Sequence, residues 1–325
     1  MMFLLKRLAF YAVAFLVAAT LNFVIPRMMP GDPADIMLAN AGGNIPPEAR
    51  EALKATFGFL DVPLHEQYLT YLGSVLTWDF GVSVAFFPAP VADLLGRALP
   101  WTLFLTGSAL LLSFSIGTLL GILAAWRRGR SVDVILSPLA LALQSVPAMV
   151  MALTALYLFA VASDVLPLGY AYDPALDPAL SPEFIGSVLL HAVLPVGTLS
   201  IVLVGGYLVT MRNNMIGQLG EDHVHMAEAK GLSDARVRYA YAARNALLPS
   251  VTALAISFGT LFGGSLITEV VFNYPGVGNL LFLGINARDF PLIQGQLLIM
   301  TLAMLAANFV ADVTYVLLDP RLRAA

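Results

Sequence analysis

The chain of 325 residues contains no cysteine, only three lysines and little charge of either sign: Asp, Glu, Lys and Arg make up 12% of it, against 59% hydrophobic residues. Without cysteine there is no disulfide framework, no thiolate-bound zinc or iron–sulfur centre and no thiol nucleophile. A soluble globular chain carries about 25% charged residues, so half that share leaves too little to cover a water-facing surface. The lysines, Lys6, Lys54 and Lys230, follow Leu5, Leu53 and Ala229. A phosphate-binding P-loop needs a Gly-Lys pair, because its backbone cradles phosphates that the lysine reaches. The chain has no such pair, so ATP, if it drives this protein, is bound by another chain. The net charge of −4 gives no basic footprint for nucleic acid. Length alone suggests about two domains, but the apolar excess argues for one membrane-embedded unit.

What the chain has in abundance is long apolar runs. A spanning helix needs roughly 20 mostly apolar residues. Six stretches qualify, at about 8–25, 101–126, 134–161, 192–210, 251–271 and 296–318. The first follows Lys6 and Arg7 as a signal peptide would, but its run of about 18 residues exceeds the 7–15 of a signal core, which predicts an uncleaved helix. Basic residues resist translocation and so set orientation. Of the 17 Lys and Arg residues, 12 fall on the side that holds both ends, including Arg127, Arg128, Arg130, Arg212, Lys230, Arg236, Arg238 and Arg244. Both termini are therefore expected in the cytoplasm. The predicted organisation is an N-terminal transmembrane helix (1–26), an extracytoplasmic segment (27–100) and a five-helix core (101–325) with a long cytoplasmic loop at 212–248. The fold class is all-α and polytopic, with six transmembrane helices. Within 27–100, Pro46-Pro47 before Glu48–Leu53 predicts a short helix started by prolines. The outer segment at about 162–190 has acidic residues and no basic ones.

The polar loop needs explaining. Residues 221–230 are good helix formers, and Gly231 can take the left-handed conformation that ends a helix. Ser233 can cap the next helix and Asp234 suits its first turn; Pro249 is expected to start a membrane helix. A small helix held crosswise between two spans is a handle that a partner can push, although an ordinary amphipathic loop would show the same pattern.

The pattern Glu228-Ala229, Gly231 and Leu248-Pro249 resembles the EAA loop of ABC-importer permeases. It departs from the consensus at Lys230, where a second alanine is usual, and that variant is similar to the oligopeptide/dipeptide/nickel branch. Other blocks agree, in order along the chain: Met29-Pro30-Gly31-Asp32-Pro33-Ala34, Ala98-Leu99-Pro100-Trp101-Thr102-Leu103, Thr268-Glu269-Val270-Val271-Phe272 with Tyr274-Pro275-Gly276-Val277-Gly278, Arg288-Asp289-Phe290-Pro291, and Leu318-Asp319-Pro320-Arg321. The resemblance implies a type I importer permease fold in a bacterial or archaeal inner membrane. It implies a second, similar permease as partner, two ATPase subunits below and an extracytoplasmic substrate-binding protein above. ATP and magnesium would be bound by the partners, with no cofactor and no catalytic residue in this chain. Ala227, Glu228, Ala229, Lys230, Gly231 and Leu232 would then couple to an ATPase subunit. The first outer segment would help to receive the binding protein. Oligopeptides or dipeptides are the implied cargo. Oligosaccharides such as cello-oligosaccharides are the alternative within the family, and nickel is a remote one.

Other residues admit competing readings. His223 and His225 form His-x-His, but positions i and i+2 do not share a helix face, and a solvated surface is expected in place of a metal site. Asp312 in the sixth stretch is a costly intramembrane charge, read as an ion pair or interfacial group near Arg321 and Arg323. Glu269, near the outer end of the fifth stretch, and Pro147, in the third, are the candidate gate or outer-pathway positions; Glu269 could equally be a structural pair, and Pro147 is expected to bend its helix. Gly205-Gly206 and Gly263-Gly264 permit close helix packing. An ion-coupled secondary transporter would need broken helices and mid-depth acids, for which only Asp312 is a candidate. No hydrolase-like constellation is present.

Overall fold

The computed structural model describes residues 2–28, 62–261 and 265–318. The expected helix at 46–53, the block at 29–34, the Gly263-Gly264 pair, residues 319–323 and the side chain of Asp312 lie outside what it describes.

The helices are α1 (Met2–Met28), α2 (Leu64–Thr77), α3 (Val91–Trp126), α4 (Ser131–Ser145), α5 (Ala148–Leu156, continued by a π-helical turn Tyr157–Ala162) and α6 (Pro182–Leu219). Then follow α7 (Asp222–Ala229), α8 (Arg244–Thr260, led in by Asp234–Arg236 and a π-helical turn Val237–Ala243), α9 (Leu266–Val271), α10 (Val277–Asn286) and α11 (Phe290–Leu318). Among the described residues the only strand-like pairing is a single bridge, Val82 with Pro90. Among the described residues the six apolar stretches are helical, apart from Val146-Pro147 and Ser265. Three helices among the described residues are long and apolar enough to cross a membrane, within Arg7–Ile25, Val91–Trp126 and Pro182–Leu219. The helices α4 and α5 are apolar enough to qualify together, across a bend of 93° that suits either a broken span or a re-entrant hairpin.

That bend is sharper than the kink expected of Pro147. The residue before a proline is pushed out of the helical region by the pyrrolidine ring. Val146 accordingly sits at φ −74°, ψ 126°, Pro147 at φ −55°, ψ 134°, and the helix stops at Ser145 and restarts at Ala148. Pro249 also departs from expectation: it lies inside α8 and does not start it. Membrane helices tolerate such prolines, and α8 runs through Pro249 unbroken.

The chain divides into two compact units. The first comprises residues 1–102, 262–266 and 275–325. In it α1 and α11 exchange amide bonds: Asn22 Nδ2 donates to the Gln294 carbonyl at 2.7 Å, and Gln294 Nε2 to the Asn22 carbonyl at 3.1 Å. Val91, Leu95 and Ala98 of α3 bury against Val277 and Leu292. The Val277 amide opening α10 donates to Thr102 Oγ1 at 2.7 Å. Asp289, fully buried, caps α11 by accepting from the Leu292 amide at 3.1 Å. It also accepts from Ser83 Oγ and from the Ala85 amide at 3.0 Å.

The second unit comprises residues 103–261 and 267–274. Glycines let its helix backbones approach. A Cβ on Gly117 would lie 2.8 Å from the Val204 carbonyl oxygen, one on Gly121 2.6 Å from that of Leu208, and one on Gly205 2.5 Å from that of Ala140. Gly205 therefore packs α6 on α4 within the chain.

Candidate functional site

The helix α7 is short because its C-terminus is fixed locally. Gly231 takes φ 72°, the left-handed conformation expected of it. The Gly231 amide donates to the Glu228 carbonyl at 2.8 Å, and the Leu232 amide reaches back to the Ala227 carbonyl at 3.4 Å. These two bonds are the Schellman pattern, which closes a helix while turning the chain. Ser233 occupies the N-cap position of the following helical turn, by backbone conformation alone, without a side-chain bond.

One face of α7 is buried. Val224 is 0% exposed and Ala227 1%, three residues apart on the same side. They pack with Met211 and Met215 of α6, Ile122 and Ala125 of α3, and Val237, Ala242, Ala243 and Ala246 ahead of and within α8; Leu232 joins the edge of this cluster. Burying Val224 alone contributes about 2 kcal/mol. The other face is open. Met226 is 57% exposed, and Glu228, Ala229, Lys230 and Gly231 are all exposed. His225 Nδ1 lies 3.5 Å from Glu228, whereas His223 Nε2 lies 3.1 Å from Asn245, so the two imidazoles face different partners. The six residues expected to couple lie along the end of α7 and its exit: Ala227 is buried against the cluster, Leu232 sits at its margin, and Glu228, Ala229, Lys230 and Gly231 form an exposed rim. Beside it, the Arg238 guanidinium lies over the rings of Tyr239 (4.6 Å) and Trp126 (5.7 Å).

Glu269 and Pro147 lie on other elements. Glu269 is fully buried on α9, and its carbonyl accepts from the Tyr274 amide at 2.7 Å. Burial, and then the nearby Glu269 carboxylate, push the Tyr274 phenol above its ordinary range. Next to them the Phe272 carbonyl accepts from the Tyr170 amide at 2.9 Å, and Gly169 approaches that oxygen so closely that a Cβ would lie 2.5 Å from it. Pro147 marks the break between α4 and α5.

Sequence reasoning overlooked one charged pair in this unit. Arg212 of α6 grips Asp133 of α4 with Nε at 2.5 Å and a terminal nitrogen at 2.8 Å. The side chains are 23% and 7% exposed. The available signal was an acidic residue opening one span and an arginine closing the next.

The architecture is that of a polytopic helical membrane protein that displays a short helix, closed by a glycine, between two long ones. Residues 117–324 match the family described as binding-protein-dependent transport system inner membrane component, and residues 1–102 match the N-terminal part of that component. The chain belongs to this family, whose members are transport components and not enzymes. It is 34% identical to a probable peptide ABC transporter permease of Sinorhizobium fredii, over 99% of both chains. It is 33% identical to the di/tripeptide transport system permease of Pseudomonas aeruginosa and 32% identical to the dipeptide transport system permease of Escherichia coli, in each case over 99% of this chain and 98% of the relative.

Proposed function

We propose that this chain is one of two permease subunits of an ATP-driven importer of small peptides, and that the exposed rim of α7 is where an ATPase subunit grips it. The observation that carries the reading is the match to peptide permeases along nearly the whole chain, combined with an exposed, Gly231-closed helix anchored on a buried apolar cluster. A rigid helix set between two spans turns a push from one side into movement of both. The partners are a second homologous permease, two ATPase subunits that hold ATP and magnesium, and an extracytoplasmic binding protein that delivers cargo. Both termini are cytoplasmic and the chain crosses the inner membrane six times, with α4–α5 as one broken crossing, α8 with α9 as the fifth and α11 as the last. Glu269 and Pro147 border the outer pathway and its gate. ATP closure below and a loaded receptor above bias the same two-state element. The names of the relatives favour peptides over oligosaccharides.

The test is purification of the tagged chain with its co-expressed neighbours, followed by reconstitution into proteoliposomes. An ATPase subunit co-purifies, and labelled di- or tripeptides accumulate only with ATP and binding protein. Accumulation of cello-oligosaccharides in place of peptides overturns the cargo. Uptake driven by an ion gradient without ATPase overturns the mechanism.

A further inference from the structure

We propose that the Asp133–Arg212 pair is a transmission link: it makes α4 move with the end of α6 that carries α7, so that force applied at α7 reaches the break at Val146-Pro147. This rests on the reading of α7 as the ATPase contact. The pair is a fork-on-fork contact, with two parallel bonds from one guanidinium to one carboxylate. Asp133 is otherwise saturated, because the Gly129 amide donates to it at 3.0 Å and Ser137 Oγ at 3.0 Å. Four donors on one carboxylate tie Asp133 to the turn before α4, to the second turn of α4 and to α6.

On α6, Arg212 stands between residues with a different task. Met211 and Met215 belong to the cluster beneath Val224 and Ala227. The last turns of α6 are therefore held to α7 through methionine packing and to α4 through Arg212. A second contact lies further along the same pair of helices, where Gly205 lets the α6 backbone meet the Ala140 carbonyl. The two contacts are seven residues apart on each helix and run in opposite chain directions, about 10 Å of antiparallel helix. Apolar packing alone lets helices slide by small shears. A bidentate ion pair does not slide, because its planar geometry admits one register. With the pair in place, α4 and the end of α6 move as one body up to Ser145. The chain then breaks by 93°, and α5 continues in a new direction, packed with Leu194 of α6 and with Phe272. The break in α4–α5 thus coincides with the end of the linked segment.

Nothing about stability demands a charged pair here. A buried ion pair returns little net stability compared with apolar residues of the same size, whereas its directional geometry suits a part that must transmit without slipping. Asp133 and Arg212 are in this sense positioning residues for transport and touch neither cargo nor nucleotide.

The experiment uses the complete importer in proteoliposomes and measures peptide imported per ATP hydrolysed, alongside complex yield. Arg212→Gln and Asp133→Asn retain ATPase attachment and ATP hydrolysis while the ratio falls about ten-fold, the scale of an ordinary coupling between two sites; Arg212→Lys, which keeps charge but loses the fork, falls between. A double variant, Asp133→Cys with Arg212→Cys, regains the ratio when joined by a short bis-maleimide, and the absence of any native cysteine in this chain confines the reagent within it to that pair. The link is overturned if yield, hydrolysis and uptake fall together in Asp133→Asn, if the ratio is unchanged in the single variants, or if cross-linking restores nothing. The reading of α7 as the ATPase contact fails separately, through variants of α7 itself that keep the ATPase bound.

Discussion

Gly231 carries the most local part of the proposed mechanism. Its φ of 72° is costly for a residue with a Cβ, by about 1–2 kcal/mol, and asparagine adopts this region more readily than most. Space is not the constraint, since a Cβ built there meets nothing within 4 Å in this chain. A side chain at 231 therefore points into the surroundings, where the ATPase subunit is proposed to sit. Gly231→Asn is expected to melt close to the parent in detergent, and Gly231→Leu to lose about 2 kcal/mol of stability, yet both should release the ATPase subunit on purification. If Gly231→Asn keeps the ATPase at parental occupancy, the rim does not face a partner. This glycine is legible in the sequence because its demand is local: good helix formers precede it, and a cap position and an acidic first turn follow. The contacts of Asp133 with Arg212, 79 residues apart, and of Ser83 with Asp289, 206 apart, are not legible in the same way, because nothing near either residue names its partner.

At the scale of elements, α7 depends on two small apolar residues. Val224 and Ala227 are its only fully buried side chains, and with eight residues it is below the length at which a helix holds itself together in water. Its order comes from the cluster beneath it. Val224→Asp puts an uncompensated carboxylate into that cluster at a cost of several kcal/mol, more than an eight-residue helix can recover. The expected result is a protein whose long helices survive, with unchanged far-ultraviolet circular dichroism, while residues 220–233 become a site of rapid proteolysis and the ATPase no longer binds. Retained binding would mean that the partner reads the loop and not the helix. The elements also show where periodicity misleads. Apolar runs located the helices, but proline was read too simply: Val146 before Pro147 is extended and the helix breaks there, whereas Leu248 before Pro249 stays helical and α8 runs through it. Composition alone does not separate those two outcomes.

At the scale of the whole molecule, the broken segment α4–α5 decides the topology. If it crosses, the acidic stretch between α5 and α6 lies on the opposite side from Arg127, Arg128 and Arg130, and α6 then returns the chain so that α7 shares a side with those arginines. If it turns back, the acidic stretch shares their side and α7 is delivered to the other face, where no ATPase could reach it. The charge distribution favours crossing, because the three arginines and the basic loop at 212–248 fall on one side only in that case. The absence of cysteine makes the alternatives separable with single substitutions. Arg128→Cys, Asp177→Cys and Arg236→Cys each place one thiol at an exposed position. A membrane-impermeant maleimide applied to intact cells is expected to label Cys only in the Asp177 variant, and to label the other two after permeabilisation. Labelling of the Arg128 and Asp177 variants from the same side would make α4–α5 a re-entrant hairpin. The transmission route from α7 through Arg212 and Asp133 would then end in a loop that never reaches the far face, and a mechanism based on opening that segment outward would fail with it.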